Sequence, residues 1–208
     1  MGRYTGPVCK LCRREGMKLF LKGDRCRMAK CAVEVGRPAP GMHGARPGKK
    51  SDYGVQLREK QRLRRYYGMQ EVAFHRFFQN ALSRRGVTGE MLLQMLEMRL
   101  DNLVYRLGFA LSRRAARQFV RHRHVAVNGR TVTIPSAILK AGDTIEVRSR
   151  PRSQAQGRLA VDASQSRELS VWLSLDKDAL KGAVLRIPTR EEIGPFVNEQ
   201  LVVELYSK

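Results

Sequence analysis

The chain has 208 residues, 42% of them hydrophobic and 28% charged, with a formal net charge of +21. That apolar content can fill one or two buried cores and excludes wholesale disorder, while a charge surplus of this size calls for a polyanion to neutralise it, with counterion release as the driving term. No stretch approaches the roughly 20 consecutive apolar residues of a membrane span, and residues 1–7 carry no apolar run behind their charge, so a cytoplasmic chain partnered by nucleic acid, not membrane, is expected.

The surplus is unevenly placed. Net charge is +10 over residues 1–50, +4 over 51–100, +7 over 101–150 and 0 over 151–208. The first three-quarters therefore read as the nucleic-acid-binding part. The neutral remainder reads as a region free to meet a neighbouring protein, or simply to pack.

All four cysteines fall in the first 31 residues, as Cys9-x2-Cys12 and Cys26-x4-Cys31. A reducing compartment argues against disulfides, and four thiolates suit a tetrahedral Zn²⁺. A 4Fe–4S cluster uses the same donors, and spacing does not separate the two. Four free thiols are the remaining alternative. Basic residues surround them, and Arg3, Arg13, Arg14 and Lys22 are the candidate RNA contacts of this arm. So polar a segment is expected to draw much of its folding free energy from the metal. The Pro/Gly-rich stretch from Gly36 to Lys50 cannot be helical and is expected to run extended along RNA. His43, within it, reads as a polar loop contact.

Ser51 can cap a helix running to about Tyr67, with Gly68 ending it. Arg58, Arg62 and Arg65 share one side of that helix and are candidate phosphate contacts; a solvated face is the alternative. A second helix, about 70–85, carries Val72, Phe74, Phe77, Phe78, Ala81 and Leu82 as a core stripe. A third, about 89–100, is rich in Met and Leu and reads as buried.

Residues 98–148 read as a module of their own. A helix ends at Gly108, and Ser112 caps the next, on which Ala115, Ala116, Phe119 and Val120 gather on one side and Arg113, Arg114, Arg117 and Arg121 on the other. Arginine at all four positions favours bidentate phosphate binding. Val125–Val132 alternates around Asn128-Gly129, the strongest short hairpin signal, and Thr144–Val147 follows as another strand. Asn128 and Arg130 join the candidate RNA contacts. In the last quarter, Trp172, Val184–Pro188 and the strand-like Gln200–Tyr206 are expected to close the sheet or add a hairpin. The fold class is thus α+β: a metal-bearing arm with its loop (1–50), a helical region (51–97), an inserted helix–hairpin RNA-binding module (98–148) and a neutral extension (149–208).

The run from Arg99 to Gly108, with Ser112–Gln118, Val127-Asn128-Gly129 and Ala141-Gly142-Asp143, resembles the helix–hairpin RNA-binding domain that takes its name from small-subunit ribosomal protein four. The segments Gly2–Pro7, Pro40–Gly44, Leu57–Arg64, Trp172–Asp176 and Pro195–Glu204 extend the resemblance, nearly full length, to the bacterial family of that ribosomal protein in its four-cysteine zinc-knuckle form. The resemblance implies a structural constituent of the small ribosomal subunit. It implies primary binding of small-subunit ribosomal RNA, early assembly of the subunit body, neighbouring ribosomal proteins and a part in translational accuracy. It implies neither catalysis nor a small-molecule substrate. The rivals are an RNA-modifying enzyme using the same module, which would need paired catalytic groups in a second domain, and a zinc-bearing transcription factor.

Overall fold

The computed structural model describes residues 2–44, 48–49, 51–165, 167–194 and 196–207; Pro47 and Lys50 of the expected loop and Pro195 lie outside them. In chain order the elements are α1 (Cys9–Glu15), a 3-10 turn (Gly23–Cys26), α2 (Asp52–Tyr66), α3 (Glu71–Leu82), α4 (Thr88–Glu97), α5 (Leu100–Arg106), α6 (Arg113–Arg121), β1 (Val125–Val127), β2 (Arg130–Thr131), β3 (Thr144–Val147), α7 (Pro151–Ala163), β4 (Leu173–Asp176), β5 (Lys181–Val184), α8 (Arg190–Ile193) and α9 (Glu199–Tyr206). The class is α+β. Two compact units divide the chain, Met1–Leu92 with Pro195–Lys208, and Leu93–Gly194. The second unit therefore reaches beyond 98–148 at both ends, and the neutral last quarter is shared between the two.

In the first unit Ser51 caps α2, its Oγ accepting from Gly54 N at 3.2 Å, and Gly68 follows the helix end in the left-handed region at φ 64. The buried face of α2, Gln56, Glu59, Lys60 and Leu63, receives α9. Residues 200–206 are thus helix and not the strand expected. Leu201-Val202-Val203 has strand-like composition, but the Asn198 side chain accepts from Gln200 N and caps a helical turn, and packing on α2 overrides propensity. Gln56 Nε2 donates to Glu204 at 2.9 Å, and Tyr206 OH and Lys60 Nζ both donate to Glu71 Oε1, at 2.8 and 2.6 Å. Gly89 is required by close approach: a Cβ there would stand 2.7 Å from Glu199 Cγ.

The stripe on α3 is narrower than expected. Phe74, Phe78 and Ala81 are buried, whereas Val72 and Leu82 are 68% and 59% exposed. At 100° per residue Val72 falls opposite Phe74, so the buried line follows 74, 78 and 81 alone. The arm has a small core of its own, Val8, Cys12, Leu19 and Leu21, against which Leu11, Met17, Val33 and Tyr66 pack. Val8, Leu11 and Cys12 stand at i, i+3 and i+4 on the short α1 and its N-cap, too brief a run for its period to stand out, and Met17, Leu19, Leu21 and Val33 lie outside helices and strands.

The second unit is built on one antiparallel sheet of order β2-β1-β3-β5-β4, with Val125 opposite Val147 and Ile145 opposite Gly182. Asn128 and Gly129, at φ 50 and 75, make the tight β1–β2 turn. The added hairpin is β4–β5, placed earlier in the chain than Val184–Pro188. The expected helix 89–100 breaks after Glu97. Met98 O accepts from Leu139 N at 2.9 Å, while Leu100 N and Asp101 N donate to Ala137 and Pro135, so the loop before β3 satisfies backbone groups at the break. Leu100, Leu103, Leu107, Phe109, Val120, Ile145, Trp172 and Leu180 form the centre of the core. Residues 151–163, unassigned from sequence, are α7, which begins with Pro151 at a position where proline's missing N–H costs nothing.

Candidate nucleic-acid interface

Both units are basic. The first carries 22 Lys/Arg against 9 Asp/Glu and the second 18 against 10. What matters for a polyanion is which of these cations the fold leaves available.

On α6, Ser112 Oγ accepts from Ala115 N at 3.2 Å and starts the helix as expected. The four arginines then part company. Arg113 is buried; its Nε donates to Asn102 Oδ1 at 2.8 Å and its guanidinium lies 4.5 Å from the Tyr105 ring centroid. Arg117 reaches Asp101 Oδ2 at 3.3 Å; burial pulls its pKa down, and Asp101 opposes the shift. Arg114 is half-buried and Arg121 exposed, and Ala115, expected in the core, is exposed. The wheel explains this: Arg113 and Arg117 border the buried stripe of Ala116 and Val120, and Ala115 lies outside it. Around them Arg99 grips Asp101 with two bonds of 3.0 and 2.7 Å, Arg106 grips Glu97 with two of 3.0 and 2.7 Å, and Arg167 lies 4.6 Å from the Tyr105 centroid.

Asn128 is also engaged internally. Its Nδ2 donates to Asp143 at 2.8 Å and its Oδ1 accepts from Thr144 N at 2.9 Å, fixing the hairpin to β3. Arg130, in the same turn, is exposed.

The open cationic feature of this unit is a groove of about 770 Å³ between the C-terminal end of α6 and the start of α7. Its lining includes Arg121, His122, Arg123, His124, Arg150 and Arg152 over a floor of Phe109, Ala110, Leu111 and Phe119, with no carboxylate. His124 Nδ1 lies 2.8 Å from Ser153 Oγ, joining the walls, and its ring stacks on Phe119 at 4.8 Å. Burial lowers the His124 pKa, and His122, Arg152 and Arg150 lower it further. Of the rim residues, Arg121 alone is among the RNA contacts expected from the sequence, and Phe119 is expected there only as packing. The runs Arg121–His124 and Arg148–Arg152 are visible in the sequence, but 23 positions and three strands lie between them, and the β1–β3 pairing brings them together.

In the first unit several expected contacts hold the protein itself. Arg58 and Arg65 both pair with Glu15, whose side chain is fully buried, and Arg62 pairs with Glu59. Arg13 and Arg14 donate to the Pro38 and Pro40 carbonyls at 2.8 and 2.9 Å, pinning this part of the Pro/Gly loop to α1, and Gly44 N turns back to Gly41 O at 3.2 Å. Arg3, Lys22 and His43 are exposed.

Cys12, Cys26 and Cys31 are buried and Cys9 half-buried. Burial raises the Cys12 and Cys26 thiols, backbone N–H groups of Leu19 and Lys22 oppose the shift, and the other cysteines add to it, so the four are electrostatic neighbours. Among the described residues, no three Cys, His, Asp or Glu side chains stand arranged to hold a metal ion. The donor chemistry fits a thiolate-held ion; the arrangement by itself does not assign one.

An open, carboxylate-free cationic groove on a helix–hairpin unit, in a chain basic throughout its other unit, defines a protein that binds a folded polyanion. Residues 3–97 match the family model of the ribosomal protein S4/S9 N-terminal domain, and residues 98–145 that of the S4 domain. Relatives include the small ribosomal subunit protein uS4 of Acidithiobacillus ferrooxidans, 53% identical over 208 residues, that of Thermus thermophilus, 53% over 209, and that of Geotalea daltonii, 55% over 208. Each comparison covers 100% of both chains. The chain belongs to the family of small ribosomal subunit protein uS4.

Proposed function

We infer that this chain is a structural constituent of the small ribosomal subunit that binds ribosomal RNA and neighbouring ribosomal proteins. The observation that carries this reading is identity of 53–55% along the whole length of relatives bearing that name. The excess of cations in both units supplies the electrostatic part of binding, and shape and 2′-hydroxyl contacts supply recognition of folded RNA. An RNA-modifying enzyme built on the same module is not favoured, since the relatives are named as ribosomal proteins. The protein works in the ribosome, in the cytoplasm. Sedimentation tests this: the endogenous protein should travel with small subunits, and a protein found wholly outside them would overturn the reading.

The finer reading is the metal. Cys9, Cys12, Cys26 and Cys31 are proposed to hold one zinc ion that ties α1 to the 3-10 turn. The burial of three thiols and the 3.3 Å bond from Lys22 N to Cys26 Sγ support it, as backbone N–H donors stabilise thiolates. Elemental analysis of anaerobically purified protein should give one zinc per chain. Iron with absorbance near about 400 nm would replace zinc by a cluster, and neither metal would remove the site.

A further inference from the structure

We propose that the groove between α6 and α7 is a nucleotide subsite, which takes one unstacked base of the bound RNA against the Phe119–His124 pair and clamps its flanking phosphates with Arg121, Arg123, Arg150 and Arg152. The proposal rests on the RNA-binding reading and goes beyond it: one wall of this groove, Arg150, Arg152, Ser153, Gln156 and Ala160, lies past residue 145, where the matched S4 domain ends.

Three observations carry it. The first is the contrast in chemistry between floor and rim. An apolar floor with aromatic rings and a rim of guanidinium groups suits a nucleotide, whose base is flat and apolar on its faces and whose phosphates are anionic. A pure phosphate site would need no such floor. The second is availability. Among the described residues no carboxylate forms an ion pair with any of the four rim arginines, whereas Arg99, Arg106 and Arg117 of the same unit are all paired. The third is backbone geometry. Arg123 sits at φ 64, directly after α6, where His124 N returns to Phe119 O at 3.2 Å and Arg123 N to Val120 O at 3.0 Å. Glycine is the residue favoured at such a helix end, and any other side chain there strains the backbone. This position instead holds an arginine whose side chain lines the groove. The wall is also fixed in advance: Ser153, 1% exposed, holds His124, and Arg148 N donates to His124 O at 2.9 Å.

The test uses the full-length protein, a small-subunit ribosomal RNA transcript substituted with 4-thiouridine, and two variants, Arg150→Gln with Arg152→Gln, and His124→Asn. Salt titration of the doubly substituted protein should give a slope of log affinity against log salt shallower by about 1.4, since each lost phosphate contact on an unpaired strand removes about 0.7. Circular dichroism should be unchanged. His124→Asn should keep the slope and lower affinity about fivefold or more, the mark of lost stacking. Photocrosslinking should join one nucleotide to the peptide containing Phe119–His124, and the double substitution should abolish that crosslink. Inorganic phosphate at matched ionic strength should leave the crosslink intact; if it removes the crosslink, the groove holds anions only and the base-binding claim falls. A wild-type protein that binds with a steep slope, next to variants with unchanged slope, affinity and no crosslink here, overturns the subsite and leaves RNA binding standing. A wild-type protein that does not bind the transcript overturns both.

Discussion

Within the second unit, two groups of arginines stand a few turns of chain apart and meet opposite fates. Arg99, Arg106, Arg113, Arg117 and Arg167 are drawn inward by Asp101, Glu97, Asn102 and Tyr105. Arg121, Arg123, Arg150 and Arg152 line a groove whose walls offer no carboxylate. The difference lies in the neighbours and not in the arginines. Where a buried acid or amide sits within reach, a guanidinium becomes part of the core's polar network; where none does, the charge is left for an external anion. A surplus of positive charge therefore overstates the binding surface, and α6 shows the division along one helix.

Asp101→Ala is the strongest way to break the comparison. It removes the carboxylate shared by Arg99 and Arg117 in a place 5% exposed to solvent, and breaking a buried ion pair by deleting one partner costs about 3–5 kcal/mol. Denaturant unfolding should show that loss, and a change below about 1 kcal/mol would mean that the network is dispensable.

Arg113→Gln sharpens the same division from the other side. Loss of the Asn102 bond and of the Tyr105 contact should lower stability by about 2 kcal/mol, with little change in the salt slope of RNA binding. Arg121→Gln should do the reverse, leaving the melting temperature in place and reducing the slope. Both substitutions acting alike in both measurements would erase the distinction. Asn128→Ala belongs with the inward group: losing its bonds to Asp143 and Thr144 at a positive φ should cost about 1–2 kcal/mol, read from the unfolding midpoint.

The smallest expected effect is a pH limb in the first unit. Burial alone would raise the Glu71 carboxyl, but hydrogen bonds from Lys60 and Tyr206 outweigh it and hold the group below its ordinary 4.5. A carboxyl held low in the folded state stabilises at pH above its unfolded value, and that contribution is lost as pH falls through the folded one. Unfolding midpoints should drop on acidification below about pH 4.5, and Glu71→Gln should flatten this limb. A wild-type profile identical to that of the variant would exclude Glu71 as its source.

Local signals proved legible where one residue decides the geometry. Asn128-Gly129 made its turn, and Ser51 and Ser112 capped their helices, because these features depend on bonds within four residues. Features decided by distant partners were not. Whether Gln200–Tyr206 becomes strand or helix is settled by α2, and whether Arg113 points inward is settled by Asn102 and Tyr105. The groove joins segments separated by the whole β1–β3 region. Pro151 is a local signal of the same kind as the two serine caps, a helix start with proline in the first turn of α7. In the neutral last quarter the packing alternative is the one these contacts serve: Glu192 pairs with Arg186, which with the Thr189 backbone brings it down to about 2, and Glu204 accepts from Gln56.

The seating of α9 on α2 sets a schedule for synthesis. Gln56 and Glu204 bond across 148 positions of chain. At about 5–20 residues per second, α2 emerges some 7–30 seconds before its partner is made. The second unit is continuous in sequence and can close during that interval. The buried face of α2 must wait, its Lys60 and Glu59 exposed to water and to any passing polyanion, until the final helix arrives to cover it.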